Sequence, residues 1–433
     1  MPTTSRIRGA LLVVVALIAP RPGAFGQGTH AQPQILSTGI TGTLTASGID
    51  SPTYLMSFAA VQRLILESTR GPVGSARAAA IMAPGPITLA DLERVGLMRR
   101  LPGGFVPSFL VLTVDDQKQI YRVSARYGAA LAHAIEVRRA DFDRVIARYP
   151  YAPLRSELLF DLIAGVVLNW EGLRLSSQLG LRASPTVHPN GDRYLLHSAE
   201  NGAGLRLEGL YWGSESWPSS EGTFTTFGDA KSFPRTLSLP NVFDPVFDDG
   251  LRSYRDSVAL YGAIRNELFE SLSLALNDAG SFMMRLREGA MTRSALEQRL
   301  RMEHDRFHAA DRLLEAIGYV RSRGDTLQLA VPVLGADDQP LIDSTTALGD
   351  AVLRDWFAHS YGSMERELRN VSPLRNGLTF PLVFSEVWHY TFGFASKTLA
   401  EDGFYENPRG PGAHRRGYAP LVLPTATYTK LSP

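Results

Sequence analysis

A chain of 433 residues is longer than one compact core accommodates, so two or three domains are expected. Its 44% hydrophobic and 20% charged content excludes disordered, collagen-like and coiled-coil classes, and 44 basic against 43 acidic residues leave no net field to gather nucleic acid. No cysteine is present, which excludes disulfides, thiol catalysis, iron–sulfur clusters, cysteine zinc sites and a lipidated cysteine anchor.

Arg6 and Arg8 precede an apolar run from Ala10 to Ala19, which Pro20, Arg21 and Pro22 close. A basic start, a short apolar stretch and small residues at Ala24 and Gly26 read as a secretory signal peptide over residues 1–26. The run is about half as long as a membrane span requires. The protein is therefore expected in the periplasm or outside the cell, with no membrane span once the leader is removed. Residues 27–50 read as a linker.

From there the elements follow in order. Leu55, Phe58, Val61, Leu64 and Ile65 recur at helical spacing over 54–68, and a second short helix covers 75–82. Thr88 with Asp91 forms a capping-box pattern that opens a third helix, and Gly96 ends it. Two short strands, Leu97–Leu101 and Phe105–Thr113, flank the turn Pro102-Gly103-Gly104, with Phe105, Pro107, Phe109 and Val111 alternating onto one face. A long helix is expected from Asp115-Asp116-Gln117 to about Arg148, and a last, unusually apolar helix over about 154–179.

The chain then matches itself. At an offset of 222, Leu92, Glu93, Gly96, Arg99, Val111, Leu112, Asp115, Asp116, Gln117, Ala125 and Ala129 all meet identical residues. At an offset of 220, Pro153-Leu154-Arg155 meets Pro373-Leu374-Arg375, and Leu158, Phe160, Leu162, Val167, Ser176 and Leu179 meet their equals. These identities read as a tandem duplication with units at 51–183 and 255–404. Three helices, a two-stranded wing and a long helix resemble the winged-helix architecture of many prokaryotic transcription regulators. That resemblance implies DNA binding only where the third helix and wing are basic. Here residues 88–180 carry a net charge of +2 and 310–402 a net charge of −5, so no nucleic-acid partner is expected.

Between the units, residues 184–254 read as a β-rich insert, with strands over Arg193–His197, Gly204–Trp212 and Gly222–Phe227. Residues 405–433 are rich in Pro and Gly and read as an extended tail. The expected fold class is mostly α with small β (α+β): two tandem winged-helix-like units, each followed by long helices, around a β-rich insert.

No motif identifies a cofactor or a metal. His304 and His308 lie four apart, but Asp305-Arg306-Phe307 between them is not a zincin pattern, and two imidazoles supply half a zinc shell. A solvated helix face is the expectation there. The Asp115-Asp116 and Asp337-Asp338 pairs begin long helices, where carboxylates cap free N–H groups. Asp244, Asp248 and Asp249 lack the spacing of a calcium loop. Ligand candidates are Tyr211, Trp212 and Trp217, an aromatic platform for a sugar or peptide, with His197 and Glu200 nearby in sequence. Nucleophile motifs and phosphate loops are lacking, so no catalytic residue is assigned. The favoured expectation is an exported non-catalytic binding or scaffold protein for a small molecule, glycan or peptide. The alternative is an exported hydrolase using His197 and Glu200, or the cleft between the units.

Overall fold

The computed structural model describes residues 35–188, 191–207, 209–210, 216–227, 275–316, 318–406 and 419–431. The expected signal peptide (1–26) and the acidic loop at 244–249 lie outside the described residues.

Leu36 and Ile40 give strand β1 (Leu36–Thr43) a buried face, so part of the expected linker is built into a sheet. Short helices α1 (Pro52–Met56), α2 (Ala59–Ser68), α3 (Ser75–Met82) and α4 (Leu89–Arg94) follow. The capping box that opens α4 is made: Asp91 N–H donates to Thr88 Oγ1 at 3.2 Å, and Thr88 N–H to Asp91 Oδ2 at 2.9 Å. Gly96, at φ +78°, turns the chain into the hairpin of β2 (Met98–Leu101) and β3 (Gly104–Pro107). After β4 (Leu110–Leu112) comes α5 (Val114–Glu136). The long helix expected to reach Arg148 instead breaks near Val137 and resumes as α6 (Arg139–Ile146).

The expected apolar helix is present, but in three windings. It runs as α7 (Arg155–Phe160), a π-helix (Asp161–Glu171) and α8 (Gly172–Gln178). Every residue of the π-helix is buried. Strands β5 (Thr186–Val187), β6 (Arg193–Glu200), β7 (Ser216–Pro218) and β8 (Gly222–Phe227) complete the first half. No strand forms over the described part of 204–212.

The second half starts with helix α9 (275–286) and strand β9 (Met291–Thr292). Helices α10 (Arg293–Leu300) and α11 (His304–Ala316) lead into the hairpin of β10 (Val320–Arg323) and β11 (Thr326–Leu329). Then come α12 (Gln339–Leu368), α13 (Ser372–Arg375) and α14 (Phe380–Glu401), and finally β12 (Ala419–Pro424) and α15 (Thr425–Leu431). The order helix, hairpin, long helix therefore occurs in both halves, as α4-β2-β3-α5 and as α11-β10-β11-α12. Each hairpin gains a third partner: Val73 bridges Phe105 in the first, and β9 pairs with β11 in the second.

The described part of 184–254 packs into the rest of the chain. Its strand β6 lies between β1 and β4, antiparallel to the first and parallel to the second. One face of this sheet, with Leu36, Ile40, Val111, Tyr194 and Leu196, covers a core shared with α1–α4. The other face, with Leu110, Leu112 and Ala199, joins the largest core. Within the expected tail, residues 419–431 form a strand and a helix. Leu421, Val422 and Leu423 are too apolar to stay in water, and β12 pairs with β8. Val422 also joins a third core, built by α9, α10, α11 and their hairpin.

The largest core contains Phe160, Val167, Phe380 and Val387 together. It is a helix bundle in which each half's last helix lies on the other half's long helix. Against α5, α14 comes close enough that Ser124 Oγ donates to the Val387 carbonyl at 3.1 Å. A Cβ at Gly128 would sit 2.6 Å from the Thr391 carbonyl oxygen. Against α12, the π-helix brings Val167 onto Gly349, where a Cβ would collide with the valine methyls. The two last helices also meet, since a Cβ at Gly172 would strike the ring of Trp388.

Candidate functional site

The described residues bring one group of polar side chains together between the central sheet and the bundle. His197 sits on β6 in register with Gly39 of β1 and Leu110 of β4. Strand parity points it toward the bundle, on the side of Leu110 and Ala199. Gly39 leaves the room that the imidazole fills, since a Cβ there would collide with the ring. From the facing helix, His389 of α14 approaches near enough for its charge to be felt at His197.

Arg182 arrives from the segment after α8. Ala183 N–H donates to the Pro381 carbonyl at 3.0 Å and ties that segment to the start of α14. Arg182 Nε and Nη2 donate to Ser177 Oγ at 3.1 and 2.9 Å. The guanidinium has no carboxylate partner among the described residues. All three groups are half-buried.

Burial sets the electrostatics. It is the main cause pulling His197 down to about 3, with the positive form of His389 adding to it. Burial also pulls His389 down to about 4, helped by the charge of Arg182 and opposed by the hydrogen bond to Ser385. That bond, 2.6 Å to the Ser385 carbonyl, needs a hydrogen on Nδ1 because a carbonyl only accepts. His389 is then a neutral imidazole with its Nε2 lone pair free to accept a hydrogen bond. Desolvation lowers the Arg182 pKa as well.

The sequence candidates fall out differently. His197 belongs to this group, but Glu200 does not accompany it. Three positions along a strand put the two on opposite faces, and the Glu200 carboxylate accepts Val114 N–H at 2.8 Å at the start of α5. Trp217 is half-buried and stacks on Phe224 with centroids 5.4 Å apart, against the third core. Tyr211 and Trp212 lie outside the described residues. The acidic pairs do cap their helices: Asp116 Oδ2 accepts Thr113 N–H at 2.9 Å, and Asp338 Oδ2 accepts Gly335 N–H at 2.7 Å.

Sequence reasoning missed Arg182 and His389. A signal for the second was present: Glu386 and His389 stand among aromatic, valine and small hydroxyl residues in the run Phe384 to Phe392. Glu386 is 4% exposed, and burial pushes its carboxyl well above the usual range. A second buried acid, Asp161 at the head of the π-helix, is 1% exposed, and neither carboxylate oxygen has a hydrogen-bond partner. Burial, and then the neighbouring Glu157, push it up too. No group of three or more His, Asp and Glu among the described residues is arranged to hold a metal, and none of their helices is long and apolar enough to cross a membrane. Comparison with protein families, with curated proteins and with solved structures finds no match for this chain.

Proposed function

We propose that this is an exported, non-catalytic binding protein for a small oxyanion, built from two copies of one ancestral winged-helix-like unit. The observation that carries the binding reading is Arg182, a desolvated guanidinium with no acidic partner among the described residues, whose charge reaches His389, a neutral imidazole in turn close to His197. An oxyanion would accept from the guanidinium, a charge-assisted bond of about 1.5–3 kcal/mol. A hydroxyl or acidic proton on the same ligand would donate to His389 Nε2. A phosphate monoanion or a hydroxy acid has both groups. The duplication reading is supported by the shared element order and by matched residues such as Asp116 and Asp338, which close equivalent helix starts. Export rests on the leader-like first 26 residues, and a mature chain beginning near Gln27 in secreted material is the result that supports it.

The rival hydrolase would need Glu200 to leave the start of α5, where it caps the helix. Calorimetric titration with inorganic phosphate, sulfate and acetate tests the binding reading. Phosphate should bind most tightly of the three, and Arg182→Ala should weaken it tenfold or more. Equal binding by the wild type and Arg182→Ala would sink the proposal, as would the absence of any anion binding.

A further inference from the structure

The exposed corner where α10 meets α11 carries a second arrangement, independent of the Arg182 site. His304 and His308 sit four apart on α11, and their ring centroids are 4.2 Å apart with the planes at 85°. Spacing alone left this pair as a solvated helix face. The structure adds a third residue. Glu297, from α10, places Oε1 2.8 Å from His304 Nδ1. A carboxylate only accepts, so the hydrogen of His304 lies on Nδ1 and the Nε2 lone pair is presented outward. A carboxylate behind an imidazole is the outer-shell arrangement that fixes the tautomer of metal-binding histidines and raises their basicity. His308 has an edge contact with Phe307, which is fully buried and anchors this turn of the helix.

We infer that His304 and His308 form a surface site for a divalent transition-metal ion, with Glu297 as the positioning residue. Two imidazoles leave the remaining coordination positions to water, and imidazole ligands suit Cu²⁺, Ni²⁺ and Zn²⁺ over Mg²⁺ and Ca²⁺. Glu303 and Asp305 flank His304 and are exposed, while the nearby Arg306 is paired with Asp278 at 2.6 Å. A metal here would tie α11 to α10 through Glu297, so occupancy should stiffen the corner between these two helices.

Isothermal titration of the full chain with Cu²⁺, Ni²⁺, Zn²⁺ and Mg²⁺ is the test, with thermal unfolding as a second readout. Cu²⁺ should bind tightest and Mg²⁺ not detectably, following the general order of affinity for nitrogen sites. His304→Ala and His308→Ala should each weaken Cu²⁺ and Zn²⁺ at least tenfold and remove the metal-induced rise in melting temperature. Glu297→Gln should retain binding but weaken it, because the amide holds the ring less strongly than the carboxylate. Metal binding that survives unchanged in the His304→Ala/His308→Ala double variant would assign the metal to other residues and overturn the inference. So would a wild-type protein that binds none of the four ions.

Discussion

The π-helix Asp161–Glu171 and helix α14 hold matching places in the two halves, and both are apolar on nearly every side, yet they are wound differently. Helix α14 starts afresh from an extended Thr379, with Pro381 at its beginning, where a missing N–H costs nothing. The π-helix has no such start: Phe160 before it is already helical, and the chain passes from α7 straight into the wider winding. Where α14 has Pro381, the first half has Asp161, four residues after Glu157. An apolar pattern made both helices bury, and ionisable residues within each, Asp161 and Glu386, are proton-binding groups trapped inside. Their seats differ as well. At the α5–α14 seam Gly128 meets the Thr391 carbonyl and Ala395 N–H besides Phe394 Cβ, whereas at the α12–π-helix seam the atoms nearest Gly349 all belong to the Val167 side chain.

The largest expected effect breaks that second contrast. Gly128→Val should destabilise the protein by about 3 kcal/mol or more, because the Thr391 carbonyl and Ala395 N–H cannot move without shifting α14. Gly349→Val should cost about 1–2 kcal/mol, since Val167 can repack. Urea unfolding of both variants checks this, and equal losses would show that the two seams are equally yielding.

A smaller, graded effect separates the trapped groups by pH. Asp161 and Glu386 have folded pKa values raised above their ordinary 3.8 and 4.5, so their stabilising share is complete in acid and is lost as pH rises. His197 and His389 are lowered from 6.5 to about 3 and about 4, so their share is complete above 6.5 and is lost as pH falls. Between about pH 4.5 and 6.5 the two trends oppose each other, and above 6.5 only the acids contribute, at up to about 1.4 kcal/mol per pH unit for each proton. Asp161→Asn should make the loss above pH 6.5 shallower, measured as unfolding free energy from pH 4 to 9. An unchanged slope in that variant would mean that Asp161 is ionised in the folded protein.

The smallest effect concerns the two helix starts. Thr113→Ala should cost about 1 kcal/mol, because Asp116 N–H loses the Thr113 hydroxyl that it reaches at 3.2 Å. The second half has Gly335 in that place, and Gly335→Thr should not recover the same amount. Its Cβ would meet Arg287 Cζ at 2.6 Å and Asp337 Oδ1 at 2.7 Å. Melting temperatures of the two variants decide the matter; a stabilised Gly335→Thr would show the starts to be equivalent.

Much of the local structure was legible because it depends on neighbours in sequence. Thr88 and Asp91 announce α4, Gly96 its end, Asp115-Asp116-Gln117 the start of α5, and Phe105 and Val111 the inward faces of short strands. The candidate site was half legible. His197 stood out as a histidine in a strand, but its companions Arg182 and His389 are distant in sequence and meet it only because the segment after α8 is tied to Pro381. Glu200 looked like a partner by proximity, yet strand parity turns it to the other face.

The sequence by itself determined the helix-rich class, the helix–hairpin–long-helix order in each half and the two apolar helices, since period, caps and turn residues act over a few positions. Only the tertiary structure decided that β1, β6 and β4 form one sheet and that residues 419–424 become a strand beside β8. It also decided that each half's last helix crosses onto the other's long helix. Those outcomes depend on which apolar faces cover one another across hundreds of residues, and hydrophobic burial is non-directional. Shape supplies the choice: Gly128 and Gly349 leave the grooves into which the partner helices fit.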